Sequence, residues 1–252
     1  MVKPNKKQEY YSVLEDKKYK ATEAVDLLKS APKSNFVESI DVAINLGIDP
    51  SKSDQTVRSA TSLPAGTGKE CKVAVFTDGD QAKEATEAGA DIVGMEDLVL
   101  KFKNGEDDYD VVIATPDSMK LVSPLGKTLG PKGIMPNPKT GTVTKDVANA
   151  VSKAKSGQIR YRTDKNGIIH GRIGDLSYST EQIIQNLEAL MVDLKKNKPA
   201  SSKGVFFKRL FMSSTMGAGI EIDLASLNFW GGPNTKKEFF CFMRLNRIYQ
   251  RP

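Results

Sequence analysis

Gly126-Lys127-Thr128 and Gly68-Lys69 are the residues in this 252-residue chain that come nearest to phosphate chemistry. In a phosphate-binding loop, bare backbone amides and one lysine neutralise a nucleotide's charge, but the pattern needs a glycine five residues upstream. Leu121 and Leu63 hold those places, and Glu70 stands where the second motif needs Ser or Thr. The loop must also follow a strand directly, yet 12 residues separate Ile113 from Gly126. His170 is the only histidine, so any His-based triad or metal site would be built around it, and no nucleophile motif accompanies it. Cys71 and Cys241 lie 170 positions apart without metal-ligand spacing and read as two free thiols. Glu106-Asp107-Asp108 falls in a polar loop and reads as solvated. No catalytic residue, metal site or cofactor is expected; the enzyme alternative, a nucleotide-dependent transferase built on the middle of the chain, has no loop to hold its nucleotide.

The elements that would position these residues come in two styles. Residues 20–30 place Ala24, Leu27 and Leu28 at helical spacing. FVESIDVAINLG then alternates, with Phe36, Ile40, Val42, Ile44 and Leu46 on one face and Glu38 interrupting it. From Cys71 to Gly157 short unalternating strands (CKVAVF, DIVG, DVVIAT) interleave with helices, the last of them ending at Gly157. That pattern predicts a parallel sheet covered on both faces. Beyond it, QIRYRTDKNGIIHGRIG reads as a hairpin turning on Asp164, Asn166 and Gly167. STEQIIQNLEALMVDLKKNKP reads as a helix with a Ser179/Gln182 capping box, and VFFKRLFM and IEIDL as two strands. Since both ends share one style, the economical architecture is a split α+β domain (1–66 and 158–227) with a Rossmann-like three-layer α/β domain (67–157) inserted. The chain would cross between them near Ser62–Gly68 and Ser156–Arg160, with Gly66, Gly68 and Gly157 as a double-stranded hinge.

Charge follows the same division. Net charge is +1 over 1–66, −2 over 67–157, +3 over 158–226 and +4 over 227–252. A basic excess flanking an acidic middle fits a polyanion held by the ends of the chain, though a solvated basic face is the commoner meaning of such an excess. The longest apolar runs are strand-sized, and the basic N-terminus has no apolar segment behind it, so neither a membrane span nor a secretory signal is expected.

Residues 125–138, LGKTLGPKGIMPNP, pack three glycines, three prolines and two lysines into 14 positions. Read from its residues, this is a rigid loop suited to an anion or to capping the sheet. Extended to LGKTLGPKGIMPNPKTGTV, it resembles the signature of the bacterial ribosomal protein L-one family. Its signature positions here are Gly126, Lys127, Gly130, Pro131, Lys132, Gly133 and Pro136. FVESIDVAINLGIDPSKSDQTVRSATSLPAGTGK, GQIRYRTDKNGIIHGRIG and SSTMGAG extend the resemblance in order over about residues 20–227.

The resemblance implies a protein that is monomeric when free, works in the cytoplasm within the large ribosomal subunit, and has no membrane partner. Its partners would be a stalk of large-subunit ribosomal RNA, tRNA leaving the exit site, and its own messenger RNA, whose translation it would repress. RNA contacts would map onto Thr215, Met216 and Gly217, with Phe36 at a further contact position and Lys33, Asp164, Lys165 and His170 in matching segments. Thr215 offers a hydroxyl, Met216 an apolar surface and Gly217 a close backbone approach. Arg160, Arg162 and Arg172 are added from the residues alone, as phosphate-positioning groups on the hairpin. Two features depart from the family: Ala65 replaces a larger polar residue in the hinge, and residues 228–252 extend past the family's usual end. That tail mixes aromatics with Arg and Lys; read-through or frameshifted coding sequence is the expectation for it, ahead of an added RNA-binding or membrane-surface arm.

Overall fold

The computed structural model describes Tyr10 and residues 17–32, 34–103, 109–202 and 204–227. Lys33, Gly105, the Glu106-Asp107-Asp108 acids, Cys241 and the 228–252 tail lie outside the described residues. The elements, in order, are α1 (Ala21–Ser30), β1 (Ser39–Leu46), β2 (Arg58–Ser62), β3 (Val73–Phe76), α2 (Asp80–Glu87), β4 (Ile92–Gly94), α3 (Glu96–Lys103) and β5 (Val111–Ala114). The chain continues through α4 (Met119–Val122), α5 (Gly126–Leu129), α6 (Val147–Lys155), β6 (Gln158–Arg162), β7 (Ile168–Asp175), α7 (Thr180–Lys196), β8 (Phe207–Ser214) and β9 (Ile220–Glu221).

Strands from both ends of the chain build one antiparallel sheet, ordered β7-β1-β8-β9. Strict alternation in β1 turns Ile40, Val42, Ile44 and Leu46 onto a single buried face. There they meet Val25 and Leu28 of α1 and Ile183, Leu187, Leu190 and Met191 of α7 in one core. Each such side chain contributes about 1.5–3 kcal/mol when fully buried. The α7 N-terminus has its capping box: Gln182 N–H donates to Ser179 Oγ (3.2 Å), and Ser179 N–H donates to Gln182 Oε1 (2.9 Å). Ser179→Ala is expected to cost about 1 kcal/mol of stability, read from urea unfolding, because one helix-end amide loses its acceptor; no change would show that the cap adds nothing to α7.

The middle of the chain forms the expected parallel sheet, ordered β4-β3-β5. All four residues of β3 and of β5 are buried, as a strand covered on both faces requires. One face packs Phe76 and Val112 against Leu98 and Phe102 of α3; the other packs Val75 and Ile113 against Ala85 of α2 and Val147 and Val151 of α6. Helix, sheet and helix make three layers.

Three local expectations needed correction. The signature segment is not an open loop: α5 and flanking helical turns form within it, because Leu125, Leu129 and Ile134 are drawn into the core beside Phe102. The 158–175 segment keeps its predicted turn, with Asp164 N–H donating to Ile168 O (2.9 Å) and Gly167 N–H to Asp164 O (2.9 Å). Its arms do not stay together as a hairpin, however. After the Thr163–Ile169 bridge, β6 pairs with β2 and β7 with β1. Finally, Phe36 does not continue the buried face of β1; it is 54% exposed, and Glu38, which broke the pattern, is buried at 1%.

The two crossings leave side by side from the end of the β2–β6 ladder, where Ser62 pairs with Gln158. Leu63 N–H donates to Gly157 O (3.4 Å). Asn186, wholly buried on α7, holds the first crossing: its amide donates to Gly66 O (2.9 Å) and Ile173 O (2.7 Å), and its oxygen accepts from Ala65 N–H (3.0 Å). That bond uses the backbone of Ala65, so the departure in side chain there leaves it intact. No helix among the described residues is long and apolar enough to cross a membrane.

Candidate nucleic-acid interface

At one end of the antiparallel sheet, the turn after β8 is stitched to the start of β1. Thr215 N–H donates to Ser39 O (3.1 Å), and Ser39 N–H donates to Thr215 Oγ1 (3.0 Å). Gly217 N–H closes the turn on Ser214 O (3.0 Å). This stitching brings two segments 180 residues apart in the chain to one edge: Thr215, Met216 and Gly217 beside Phe36 and Val37. Phe36, Val37 and Met216 are 54, 67 and 58% exposed, although large apolar side chains usually find cover. An apolar patch next to a hydroxyl and a bare glycine backbone can take an unstacked base or a ribose while the hydroxyl and backbone meet phosphate or 2′-OH. Val37 was missed from the sequence, where it reads as the outward residue of an ordinary strand; its position before β1 begins would have been the only signal.

The other sequence-derived residues do not converge on that edge. Asp164 and Lys165 are exposed in the β6–β7 turn at the opposite end of the sheet. Seven residue steps of β1 separate the two ends, roughly 24 Å at antiparallel rise. His170 lies between them, exposed on the face of the sheet away from the helices and paired with Ala43. Arg162 is exposed at the end of β6.

Arg160 and Arg172 face a different place, a cleft of about 760 Å³ between the antiparallel and parallel sheets, also lined by Lys69, Lys72, Lys132 and Asp110. Both are already engaged with protein acceptors. Arg160 Nη2 donates to the Asp110 carbonyl (2.5 Å), and Arg172 pairs with Asp175, leaving its buried Nε without an acceptor among the described residues. Asp110, just before β5, also pairs with Lys69, the residue after the first crossing, and accepts from Lys72 N–H (3.3 Å). Burial pushes the Asp110 carboxyl up, but the Lys69 hydrogen bond, the Lys72 amide and the charges of Lys69 and Arg160 together hold it below the ordinary 3.8. A carboxyl lowered on folding adds stability above its unfolded value, and that contribution is lost as pH falls through the folded value. Asp110→Asn should therefore lower the melting temperature at neutral pH and flatten its fall below about pH 4, since the group that protonates there is gone. Parallel melting curves of the two proteins across that range would count against the pairing.

The mouth of the parallel sheet, where doubly wound folds take nucleotides, is shaped against them. Ser118 Oγ donates to Phe76 O (2.8 Å) and Thr115 Oγ1 to Ser118 Oγ (3.0 Å), so buried hydroxyls fill the gap between β3 and β5. Asp78, Glu96 and Asp97 line the neighbouring hollow beside Lys83, so that carboxylates outnumber cations where a phosphate would sit. Of the residues that echoed a phosphate loop, Lys69 is bound to Asp110, and Gly126-Lys127-Thr128 opens α5, away from the end of any strand. Lys132 reaches the cleft; Leu125, Leu129 and Ile134, interleaved with the signature glycines, serve the core.

The family model described as "Ribosomal protein L1p/L10e family" matches residues 27–218, from α1 through the Thr215–Gly217 turn. A protein of Vibrio campbellii named "Large ribosomal subunit protein uL1" is 61% identical over 212 residues, 84% of this chain and 91% of its own length. Proteins of the same name from Pseudomonas putida (59% over 212 residues, 84% and 92%) and Pasteurella multocida (60% over 211 residues, 84% and 92%) are similar to it as well. These relatives carry the name of a ribosomal protein and not of an enzyme. With the parallel sheet, both crossings, the exposed turn and most of the antiparallel core inside the matched span, the chain belongs to the ribosomal protein L1p/L10e family.

Proposed function

We propose that this protein is a structural component of the large ribosomal subunit, working in the cytoplasm and bound to the ribosomal RNA stalk next to the tRNA exit site. The observation that carries the reading is identity of about 60% with large-subunit proteins over nearly their whole length. On this reading the protein assists release of deacylated tRNA as the stalk moves, and represses its own messenger RNA through a site resembling the stalk. Thr215, Met216, Gly217 and Phe36 form the centre of the RNA surface. Asp164, Lys165 and His170 extend it along the open face of the sheet, a length suited to a structured stalk and not to a single base. Lys33 belongs to the same proposal. Arg162 stays available for phosphate, while Arg160 and Arg172 would have to leave Asp110 and Asp175 to take part.

The domain division is part of this proposal: residues 1–66 and 158–227 bind RNA, and 67–157 pivots on Gly66, Gly68 and Gly157. The antiparallel core shares no residue with the two cores of the parallel sheet, which favours independent folding. A Cβ built on Gly157 comes within 2.7 Å of Thr67 N, so deleting 68–156 and joining those ends spans almost no distance.

The test is binding of the full chain and of the 68–156 deletion to a large-subunit rRNA stalk fragment across a salt series. Both should bind the stalk in preference to an unrelated hairpin, with affinities within about fivefold of each other, or roughly 1 kcal/mol. Binding that treats all RNAs alike and falls steeply with salt would mean a nonspecific electrostatic surface. A folded deletion protein that has lost the stalk would place RNA contacts in the parallel-sheet unit instead.

A further inference from the structure

We propose that Glu38 is a positioning residue of the RNA-binding surface: its buried carboxylate joins the segment bearing Phe36 to the Thr215–Gly217 turn and sets how both are presented. The proposal rests on the placement of the RNA site given above. Glu38 occupies the frame of Ile40, Val42, Ile44 and Leu46, where an apolar side chain would simply extend the core. A carboxylate taken out of water at that position is costly unless hydrogen bonds satisfy its oxygens. Here they are given work on both sides of the site. Ser34 Oγ donates to Oε1 (2.6 Å), on the stretch leading into Phe36, and Met216 N–H donates to Oε2 (3.3 Å), in the middle of the turn.

The backbone of Glu38 adds a third attachment, accepting from Leu176 N–H (3.0 Å) beyond the end of β7. The neighbouring Ser39–Thr215 bonds fix the turn at its first residue only; the carboxylate reaches the second. With Met216 N–H bonded to Glu38, the Met216 side chain is left facing solvent at 58% exposure. An apolar residue at position 38 would fill the space but leave both donors without this acceptor. A glutamine would keep the connection, because its carbonyl oxygen accepts from the Met216 amide and its NH₂ can donate to Ser34 Oγ.

The experiment uses the full chain and the stalk RNA fragment, with Glu38→Ala, Glu38→Gln, Thr215→Val and the Glu38→Ala/Thr215→Val pair. Circular dichroism checks folding, and amide exchange follows Met216. Glu38→Ala should weaken binding about tenfold or more, as removal of a charged acceptor does, and speed exchange at Met216. Glu38→Gln should bind within about threefold of the native chain, since the shape of the connection survives. Because Glu38 acts through the turn, Glu38→Ala should cost much less once Thr215 has been replaced, a coupling that a general stability effect does not produce. Native-like binding by Glu38→Ala while Thr215→Val loses the RNA would overturn the positioning role, and so would strict additivity in the pair. If neither single variant loses affinity, the placement of the RNA site fails and the role of Glu38 fails with it. Should Glu38→Ala not fold, Ser34→Ala removes one attachment from a half-exposed position: about a threefold loss supports the role, and unchanged binding overturns it.

Discussion

Met216→Asp should lower affinity for the stalk RNA about a hundredfold, close to 3 kcal/mol, with little change in melting temperature. Two effects add. The thioether and methyl groups that offer an apolar contact at 58% exposure are removed. In their place a carboxylate stands at the centre of the proposed RNA surface, where it would be held close to the RNA's own negative charge. Stability should hardly move, because Met216 packs into no core and its N–H, bonded to Glu38, belongs to the backbone. Filter binding at low and moderate salt, with a melt of the same preparation, reads both quantities. A stable variant that binds normally would remove the Thr215–Gly217 turn from the interface altogether. The outcome at higher salt is also informative: repulsion is screened there, so part of the loss should be recovered relative to the native chain.

Gly157→Ala should destabilise the protein by about 4 kcal/mol, whereas Gly133→Ala should cost only about 1 kcal/mol. The two glycines share a left-handed backbone, with φ of 87° and 71°. That conformation disfavours an L side chain at both sites. Their surroundings differ. A Cβ at Gly157 would sit 2.7 Å from both Gly66 Cα and Thr67 N, backbone atoms that Asn186 and the β2–β6 ladder hold in place. At Gly133 nothing lies within 4 Å. The difference between the variants therefore measures the contact between the two crossings, free of the conformational cost. Urea unfolding midpoints with unchanged slopes would give it directly. Equal losses would mean that the crossings separate readily; a large difference means that they move as one joined pair, which restricts any hinge to rotation about both at once.

Much of this architecture was readable from local pattern. The unalternating CKVAVF and DVVIAT runs became the two fully buried strands, and the Ser179/Gln182 box sits where helix-end chemistry predicted it. Such features depend on neighbours within a turn or a strand, so a one-dimensional reading captures them. The 158–175 segment shows where this stops. Its turn residues were right, but partner choice was decided by β2 and β1, which lie about 100 or more residues earlier in the chain. Gly171 leaves room for the end of the Ile159 side chain, whose Cδ1 lies 2.5 Å from where a Cβ would stand. The signature segment misled for a related reason. Glycine and proline density suggests a loop, while three apolar residues spaced for a common core drew it into helical turns.

By itself the sequence determined the periodicities, the helix caps, the segregation of charge and the family motif, all properties of residue type and short spacing. Tertiary structure alone decided which charged groups meet partners brought from far along the chain. Arg160 looks like a phosphate ligand until Asp110 arrives from 50 positions away, and Glu38 looks like a flaw in a strand until Met216 arrives from 178 positions away. The reason is physical: a charged side chain's role is set by whichever opposite group or donor folding places within about 3 Å, and no spacing rule along the chain encodes a contact made across it.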